Sequence, residues 1–304
     1  MNLPDASKAA FHPARKSSMA MNTEAAMETM TNSELVETTK VYYDSDDANS
    51  FYYHVWGGED IHIGMYENES DSIFDASRRT VTKMEQLAPN LSKETRVLDI
   101  GSGFGGSARF LAKKHQCHVQ CLNLSEAQNE VNRKLSKEQG LASQITITTG
   151  NFENLPYPAD SFDLVWCQDA ILHSGQRKRV LEEVYRVLRP GGTFLFTDPM
   201  QDEQCNKDKL QPVLARIHLD SLSTVQFYQE TSASVGFKAC QFYEGSNNLT
   251  THYAKVLIEL RQKEIELQDK CSATYMSRMQ EGLQLWVDAG LSGDLRWGIF
   301  RLHK

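Results

Sequence analysis

The sequence has no apolar run long enough to span a membrane. None of the uninterrupted apolar stretches in its 304 residues approaches the roughly 18 residues that a transmembrane helix needs. Cysteine is also sparse, and its six residues are scattered and include no C-x-x-C pair. That pattern favours neither a disulfide framework nor a structural zinc site. Since no secretory signal accompanies it, we expect a cytoplasmic protein in a reducing compartment.

Positive charge is in deficit as well. The chain carries 32 Lys and Arg against 40 Asp and Glu, which gives a formal net charge of −8. Nucleic acids and anionic membranes are bound by clustered Lys and Arg, so neither is an expected partner. The acids and histidines show no ligand spacing such as H-E-x-x-H, so we expect no metal. None of these observations excludes assembly of the chain into a homo-oligomer.

The N-terminal residues 1–33 differ from the rest. They are rich in Ala, Ser, Thr and Met without sustained periodicity, which predicts a disordered tail. The alternative is an organelle transit peptide, which the early basic residues Lys8, Arg15 and Lys16 faintly resemble. We divide the remaining chain into an N-terminal helical lid (34–93) and a core (94–304). The core has an insertion at about 199–235 and C-terminal helices.

Short apolar runs alternate with amphipathic stretches between residues 95 and 198. Each run is compatible with a buried strand. The runs are Arg96–Ile100, 118–122, 144–148, 162–167 and 193–197. One helical stretch begins at the N-cap residue Ser125 and stops at Gly140, and another covers 178–188 and ends before Pro190. Strict alternation of strand and helix predicts an α/β fold, a Rossmann-like sheet with helices on both faces.

A glycine-rich turn, D-I-G-S-G-F-G-G, follows the first strand from Asp99 to Gly106. Glycines let the chain turn sharply there and let a ligand touch the backbone. The G-x-G-x-x-G pattern within it would by itself suggest a dinucleotide. Two residues argue against NAD. Asp99 would point a carboxylate at the ligand, which suits a sulfonium or ammonium group better than a pyrophosphate, and Asn123 ends strand two where the dinucleotide pattern has an acid.

The same turn resembles the first motif of the class I S-adenosylmethionine (SAM)-dependent methyltransferases. Four further motifs occur in the order found in that class: N-L-S at 123–125, G-N-F-E-N-L-P at 150–156, F-D-L-V at 162–165 and L-R-P-G-G at 188–192. Five spaced motifs are far more specific than one glycine loop. The resemblance implies SAM as the methyl donor and S-adenosylhomocysteine as its product. It also implies a last, antiparallel strand at 295–302, after helices at 247–268 and 274–289.

The resemblance assigns a cofactor site residue by residue. Most of its members fall at carboxyl ends of the predicted parallel strands, where such sheets bind ligands. The expected cofactor-binding residues are Tyr43, Asp99, Gly101, Gly103, Asn123, Leu124, Gln128, Asn151, Phe152 and Gln168. Asn123 stands where the ribose is held, usually by an acid, and Asn151 where the adenine amine is recognised. The alternatives are that Asn151 begins a turn and that Gln168 is a satisfied pocket amide.

Residues 41–66 are unusually rich in aromatic side chains. The seven rings are Tyr42, Tyr43, Phe51, Tyr52, Tyr53, Trp56 and Tyr66, well above the chain average of 9%. They could simply pack against the edge of the sheet. Alternatively, they form a lid of electron-rich ring faces around a cationic centre. Methyl transfer from a sulfonium to an amine moves a positive charge between the two, so ring faces suit both ends of that reaction.

Further motifs, most of them outside the predicted parallel strands, indicate which branch of the methyltransferases the chain resembles most. Y-Y-D-S-D-D at 42–47 resembles the branch that holds cyclopropane fatty acid synthases and the phosphoethanolamine, sterol and tocopherol methyltransferases. W-G-G-E-D-I-H-I-G at 56–64 and W-G-I-F at 297–300 look most like the sarcosine/dimethylglycine N-methyltransferases. Cyclopropane synthases carry a Glu directly before the His that follows strand four, but here Leu172 precedes His173. The resemblance therefore implies methylation of a small zwitterionic amine to glycine betaine.

We expect an in-line displacement in which the amine attacks the methyl group. His173 is the predicted general base, with a purely structural histidine as the alternative. The expected acceptor-binding residues are Tyr43, Trp56, Tyr66 and Arg216, with Arg216 or His218 holding the acceptor carboxylate. Two other functions are left open. One is methylation of a phospholipid head group, a sterol or another small acceptor, and the other is a SAM-binding sensor without catalysis.

Overall fold

The computed structural model describes residues 31–217 and 219–304. The predicted tail, apart from residues 31–33, lies outside the described residues, and so does His218. Arg216 is described in its backbone only.

A seven-stranded sheet forms the centre of the molecule. The strands are β1 (Arg96–Ile100), β2 (His118–Asn123), β3 (Ile145–Thr149), β4 (Phe162–Gln168), β5 (Leu188–Gln201), β6 (Ala239–Glu244) and β7 (Leu295–His303). Their order across the sheet is β3-β2-β1-β4-β5-β7-β6. The first five pair in parallel, whereas β7 runs antiparallel to both of its neighbours. The predicted mostly parallel sheet with an antiparallel last strand is confirmed.

Eleven α-helices surround the sheet in the described part of the chain. They are α1 (Asn32–Asp44), α2 (Asp46–Phe51), α3 (Ile73–Leu87), α4 (Gly106–His115), α5 (Glu126–Glu138), α6 (Arg177–Val187), α7 (Lys207–Arg216), α8 (Val225–Val235), α9 (Ser246–Gln262), α10 (Glu264–Leu267) and α11 (Ala273–Leu291). A π-helical turn follows α2 at Tyr52–Trp56, and a 3₁₀ turn follows β4 at Ile171–His173.

Side chains alternate between the two faces of the sheet, as the pleat requires. On β5, Phe194 and Phe196 pack with the apolar stripes of α6 and α8, while Leu195 between them packs on the opposite face. That opposite face is covered by α3 and α4, through Val81 and Leu111 among others. Because both faces are buried, the strands are nearly continuous apolar runs, which is why they were recognisable from the sequence.

The N-terminal helices pack against the C-terminal helices and not only against the sheet. Phe51 and Trp56 share one apolar cluster with residues of α9 and α11, where Tyr253 stacks on Trp286 with ring centroids 4.7 Å apart. Two polar contacts fasten this lid. Asp44 Oδ1 accepts a hydrogen bond from Ser125 Oγ (2.7 Å), and Asp47 accepts one from Ser272 N (2.7 Å) at the start of α11. Asp44 and Asp47 of the Y-Y-D-S-D-D motif thus join the lid to α5 and α11.

Gly64 is a position where the fold has no room for a side chain. A Cβ placed there would lie 2.7 Å from the Ala76 Cβ and 2.8 Å from the Ser77 backbone nitrogen on α3. We expect Gly64→Ala to lower the free energy of unfolding by about 1–3 kcal/mol, because the contact must be relieved by moving backbone. Thermal unfolding measures this loss. Gly140→Asn is the control, since Asn tolerates the positive φ of 73° and no atom lies within 4 Å of its Cβ. An equal loss in both variants would contradict the crowding at Gly64.

Candidate active site

A cleft opens above the glycine turn, at the carboxyl ends of β1, β2, β3 and β4. We call it the glycine cleft. The predicted cofactor residues that line it are Tyr43, Gly101, Gly103, Asn123, Leu124, Gln128, Asn151, Phe152 and Gln168. Gly101 and Gly103 have φ of +70° and +52°, and a Cβ on Gly101 would meet the Ala170 Cβ at 2.5 Å. The backbone is therefore bare where a ligand in this cleft would approach it.

Two buried amides stand at the end of β2. Asn123 Nδ2 donates to Gln128 Oε1 over 3.0 Å. Among the described residues, the Gln128 Nε2 group has no hydrogen-bond partner although it is buried. A buried unpaired donor is costly, so it points to a partner that binds here. The pair combines donor and acceptor atoms, which suits two adjacent hydroxyl groups.

Glu153 is a cleft residue that the sequence interpretation missed. It is buried and lines the glycine cleft beside Asn151 and Phe152. Its carboxylate accepts hydrogen bonds from Asn32 Nδ2 (2.7 Å) and Ser174 Oγ (2.5 Å). Asn151 Oδ1 accepts one from the Glu153 backbone N–H (2.9 Å), which is a turn contact. Glu153 therefore supplies a hydrogen-bond-accepting carboxylate at this end of the cleft. It directly follows Asn151 and Phe152, which were predicted to bind the cofactor.

Asp99 does not line the glycine cleft itself. It is buried at the end of β1 and lines a small polar pocket with Asp60 and His62, which adjoins the cleft through Gly101 and Gln168. Burial, and in second place the charge of Asp60, raises the pKa of Asp99 to about 8. A carboxyl group with that pKa is largely protonated at neutral pH. The sequence analysis expects Asp99 to present a charged carboxylate in the cofactor cleft. In the structure this side chain is instead outside the cleft and largely uncharged.

A second, aromatic cavity of about 360 Å³ adjoins the glycine cleft. Its rings come from the lid and from the C-terminal helices. They are Tyr42, Tyr43, Tyr52, Trp56, Tyr253, Tyr275 and Trp286. The predicted acceptor residues Tyr43 and Trp56 are among them. The aromatic-rich segment thus both packs against α9 and α11 and encloses a cavity.

The other two predicted acceptor residues differ from these. Tyr66 does not line the aromatic cavity. Its hydroxyl is hydrogen-bonded to His252 Nδ1 over 2.9 Å, and its backbone N–H donates to Asn248 Oδ1 over 2.8 Å. Arg216 ends α7, and its side chain lies outside the described residues. Ile217, the next residue, lines the aromatic cavity.

The two compartments share one wall. It is formed by Thr39, Tyr43, Ile61, Asp169 and His173. At its centre, the Tyr43 hydroxyl is hydrogen-bonded to His173 Nε2 over 3.0 Å. Burial, followed by the positive charge of Arg177, lowers the pKa of His173 to about 4. The imidazole is therefore neutral at physiological pH and keeps one acceptor nitrogen.

Asp169, directly after β4, belongs to the same wall and was not among the predicted site residues. Its φ of +49° is uncommon outside glycine and stores strain. The carboxylate accepts hydrogen bonds from the Ile63 backbone N–H (2.7 Å) and from Trp297 Nε1 (2.8 Å). Burial raises the pKa of Asp169, while these hydrogen bonds favour its charged form. The W-G-I-F motif at the C-terminus is thereby connected to the site.

The W-G-G-E-D-I-H-I-G segment is held over the glycine turn by ion pairs. Glu59 pairs with Arg109 of α4 (2.8 Å) and Asp60 with Arg78 of α3 (2.7 Å). Ile61 directly follows these two acidic residues in the chain and lines both the glycine cleft and the aromatic cavity. The motif therefore positions part of the shared wall.

Comparison with known proteins agrees with this geometry. Residues 98–196 match the family model described as a methyltransferase domain. The chain is 50% identical over 263 residues to sarcosine/dimethylglycine N-methyltransferase of Aphanothece halophytica, covering 86% of this chain and 95% of the relative. It is 48% identical over 278 residues to the enzyme of the same name from Halorhodospira halochloris, covering 91% and 100%. The chain belongs to the sarcosine/dimethylglycine N-methyltransferase family.

A solved structure supports the same assignment for this methyltransferase. It comes from Galdieria sulphuraria and is assigned as a sarcosine dimethylglycine methyltransferase. The two chains are 37% identical with a TM-score of 0.82, over 86% of this chain and 98% of the other. The resemblance stated from the sequence motifs is thus confirmed, and so is the enzyme class.

No helix within residues 31–217 and 219–304 is long and apolar enough to cross a membrane. Within the same ranges, no group of three or more His, Cys, Asp or Glu side chains is placed to hold a metal ion.

Proposed function

We propose that this enzyme transfers methyl groups from SAM to sarcosine and dimethylglycine, forming glycine betaine. The observation that carries the proposal is the shared wall, where Tyr43 and His173 face both the glycine cleft and the aromatic cavity. A donor in the cleft and an acceptor in the cavity would meet there. The two relatives described above are named for methylating the same two amines.

The glycine cleft suits SAM. Gly101 and Gly103 would let the methionine part approach the backbone, and Asn123 with Gln128 would hold the ribose hydroxyls. The Glu153 carboxylate would accept a hydrogen bond from the adenine amine. When bound, SAM supplies a methyl group on a positively charged sulfur atom. S-adenosylhomocysteine is then the product that the cleft releases.

The aromatic cavity suits an acceptor that becomes a cation. Trp56 and Tyr52 are buried and line it with their aromatic rings. Ring faces attract ammonium and quaternary ammonium groups, by about 0.5–2 kcal/mol each. Glycine betaine carries a permanent positive charge on nitrogen, so the cavity would stabilise the charge that develops during transfer.

The acceptor must lose a proton before it can attack. Its nitrogen lone pair forms the new N–C bond as the C–S bond breaks, and the sulfur keeps the electron pair. The hydrogen-bonded Tyr43 and His173 stand where this nitrogen would lie. Because its pKa is about 4, His173 is a poor acceptor for an ammonium proton, so the amine gives that proton to solvent before it binds. The neutral imidazole can instead hold the Tyr43 hydroxyl beside the amine. We propose that the pair orients the free amine and excludes its protonated form.

The size of the cavity favours a small acceptor over a sterol. Its volume of about 360 Å³ lies near the lower end of the range for small-molecule sites, about 300–1,000 Å³. A phosphate head group would call for a cluster of Lys and Arg, but Arg278 is the single Lys or Arg among the described residues lining the cavity.

Methyl transfer to a panel of acceptors tests the proposal. The purified enzyme is incubated with methyl-labelled SAM and with glycine, sarcosine, dimethylglycine, phosphoethanolamine or a sterol. We expect labelled glycine betaine from sarcosine and dimethylglycine and no transfer to the sterol. Transfer to the sterol or to phosphoethanolamine, without transfer to the methylated glycines, would overturn it. Binding of SAM without any transfer would instead favour the sensor.

A further inference from the structure

Three tyrosine hydroxyls meet inside the aromatic cavity. Tyr42 Oη lies 3.4 Å from Tyr52 Oη and 3.1 Å from Tyr275 Oη. We call these three residues the tyrosine cluster. They come from α1, the π-helical turn and α11, respectively. The cluster therefore exists only when the lid and the C-terminal helices pack together.

The cluster lies beside the reacting end of the cavity. The Tyr42 and Tyr52 rings pack against the Tyr43 ring with centroids 5.0 and 5.6 Å away. Tyr43 in turn is hydrogen-bonded to His173. In sarcosine and dimethylglycine a single methylene separates the nitrogen from the carboxylate. If the acceptor nitrogen lies at Tyr43, its carboxylate is therefore close enough to reach the cluster, whose Tyr42 and Tyr52 rings pack against Tyr43.

A positively charged side chain, Arg278, lines the same cavity as the cluster. It is exposed to solvent and lies three residues after Tyr275 on α11, so the two residues share a helix face. None of the ion pairs found within 31–217 and 219–304 includes Arg278. The acids of the cavity are already engaged, Asp47 by Ser272 and Asp169 by Trp297. The charge of Arg278 is therefore available to an anionic ligand.

We propose that the tyrosine cluster and Arg278 bind the carboxylate of the amine acceptor and so select amino acids over simple amines. This inference rests on the proposed function. Hydroxyl groups rotate freely, so the three O–H groups can turn from one another toward an anion. Hydrogen bonds to a carboxylate are stronger than those between neutral hydroxyls, which favours the change. Burial also raises the pKa of Tyr52 well above its ordinary value, so its hydroxyl stays protonated and can donate.

Two acceptors that differ only in the carboxylate test this selection. The full chain and its variants Tyr42→Phe, Tyr275→Phe and Arg278→Gln are assayed with dimethylglycine and with dimethylethylamine at saturating SAM. We expect each variant to raise the KM for dimethylglycine about tenfold or more, as for the loss of one hydrogen bond to a charged group. The KM for SAM and the rate with dimethylethylamine should stay at their wild-type values.

A binding measurement gives the same information without turnover. Dimethylglycine is titrated into the enzyme saturated with S-adenosylhomocysteine, and the variants should raise its Kd by a similar factor. Tyr53→Phe is the matched control, since Tyr53 is exposed and does not line the cavity. An unchanged Kd and KM in all three variants, or equal losses with both amines, would overturn the carboxylate site. A wild-type enzyme that methylates neither methylated glycine would instead overturn the proposed function itself.

Discussion

Replacing Tyr43 by Phe is expected to lower the kcat for dimethylglycine about 100-fold, the scale of removing one preorganised hydrogen-bonding group from an active site. The Tyr43 hydroxyl lies on the wall between the two compartments, 3.0 Å from His173 Nε2. Phe keeps the ring and its packing against Tyr42 and Tyr52, so the cavity should keep its shape. Steady-state kinetics at saturating SAM measure the effect.

A variant that carries both substitutions, at Tyr43 and at His173, shows whether the two side chains act together or independently. If Tyr43 and His173 act together, then Tyr43→Phe combined with His173→Ala should be no worse than the more damaging single variant. Tyr243→Phe on β6 is the control, because its hydroxyl contacts Gln241 of the same strand and Tyr243 lines neither compartment. Wild-type kcat in Tyr43→Phe, or fully additive losses, would contradict the paired role.

The pH profile checks the same pair independently. Because burial and the charge of Arg177 lower the pKa of His173 to about 4, the imidazole should be neutral above about pH 5. The value of kcat should then show no inflection near pH 6.5, and kcat/KM should rise with pH as more of the amine loses its proton. An inflection near pH 6.5 that His173→Ala removes would contradict a neutral His173.

Replacing Asp169 by Asn is expected to lower kcat/KM about 100-fold, the scale of removing one preorganised electrostatic group from an active site. The carboxylate, whose charged form is favoured by hydrogen bonds to both of its oxygens, lies on the wall where positive charge would pass from sulfur to nitrogen. It also accepts from both the Ile63 N–H and Trp297 Nε1. An amide removes the charge and can accept from only one of these donors, which leaves the other unpaired at a cost of about 1–3 kcal/mol.

The variant Trp297→Phe shows how much of the effect comes from the Asp169 charge and how much from its hydrogen bond with Trp297. That variant removes one donor but keeps the carboxylate, so it should cost less in kcat/KM than Asp169→Asn. Thermal unfolding of both variants shows how much of each loss comes from stability. Near wild-type kcat/KM in Asp169→Asn would return Asp169 to a structural role.

The central strands and the cofactor motif were predictable because their signals are local. The strand β1 has the predicted bounds, and Ser125 caps α5 as expected, accepting a hydrogen bond from Gln128 N. The strand β5 is longer than its predicted range, since it pairs with β7 along Thr193–Gln201, and that pairing partner lies about a hundred residues away. No apolar pattern located β6, whose residues are all exposed or half-exposed.

The acceptor side was predicted less completely because it depends on contacts between distant segments. Tyr66 looked equivalent to Trp56 in the sequence, yet its hydroxyl is engaged by His252, 186 residues further on. Tyr275 was not among the predicted site residues and lies in the helix predicted at 274–289, but its hydroxyl meets that of Tyr42 across the cavity. Asp169 had a usable signal, its place at the carboxyl end of β4, where parallel sheets bind ligands.

A crystal structure of the ternary complex with S-adenosylhomocysteine and dimethylglycine is the most direct test of methyl transfer across the wall between the glycine cleft and the aromatic cavity. We expect S-adenosylhomocysteine in the glycine cleft and dimethylglycine in the aromatic cavity. The dimethylglycine nitrogen should face the sulfur atom beside Tyr43 and His173, with its carboxylate toward Tyr42 and Tyr275. Dimethylglycine outside the aromatic cavity, or with its nitrogen turned away from the sulfur, would contradict transfer across this wall.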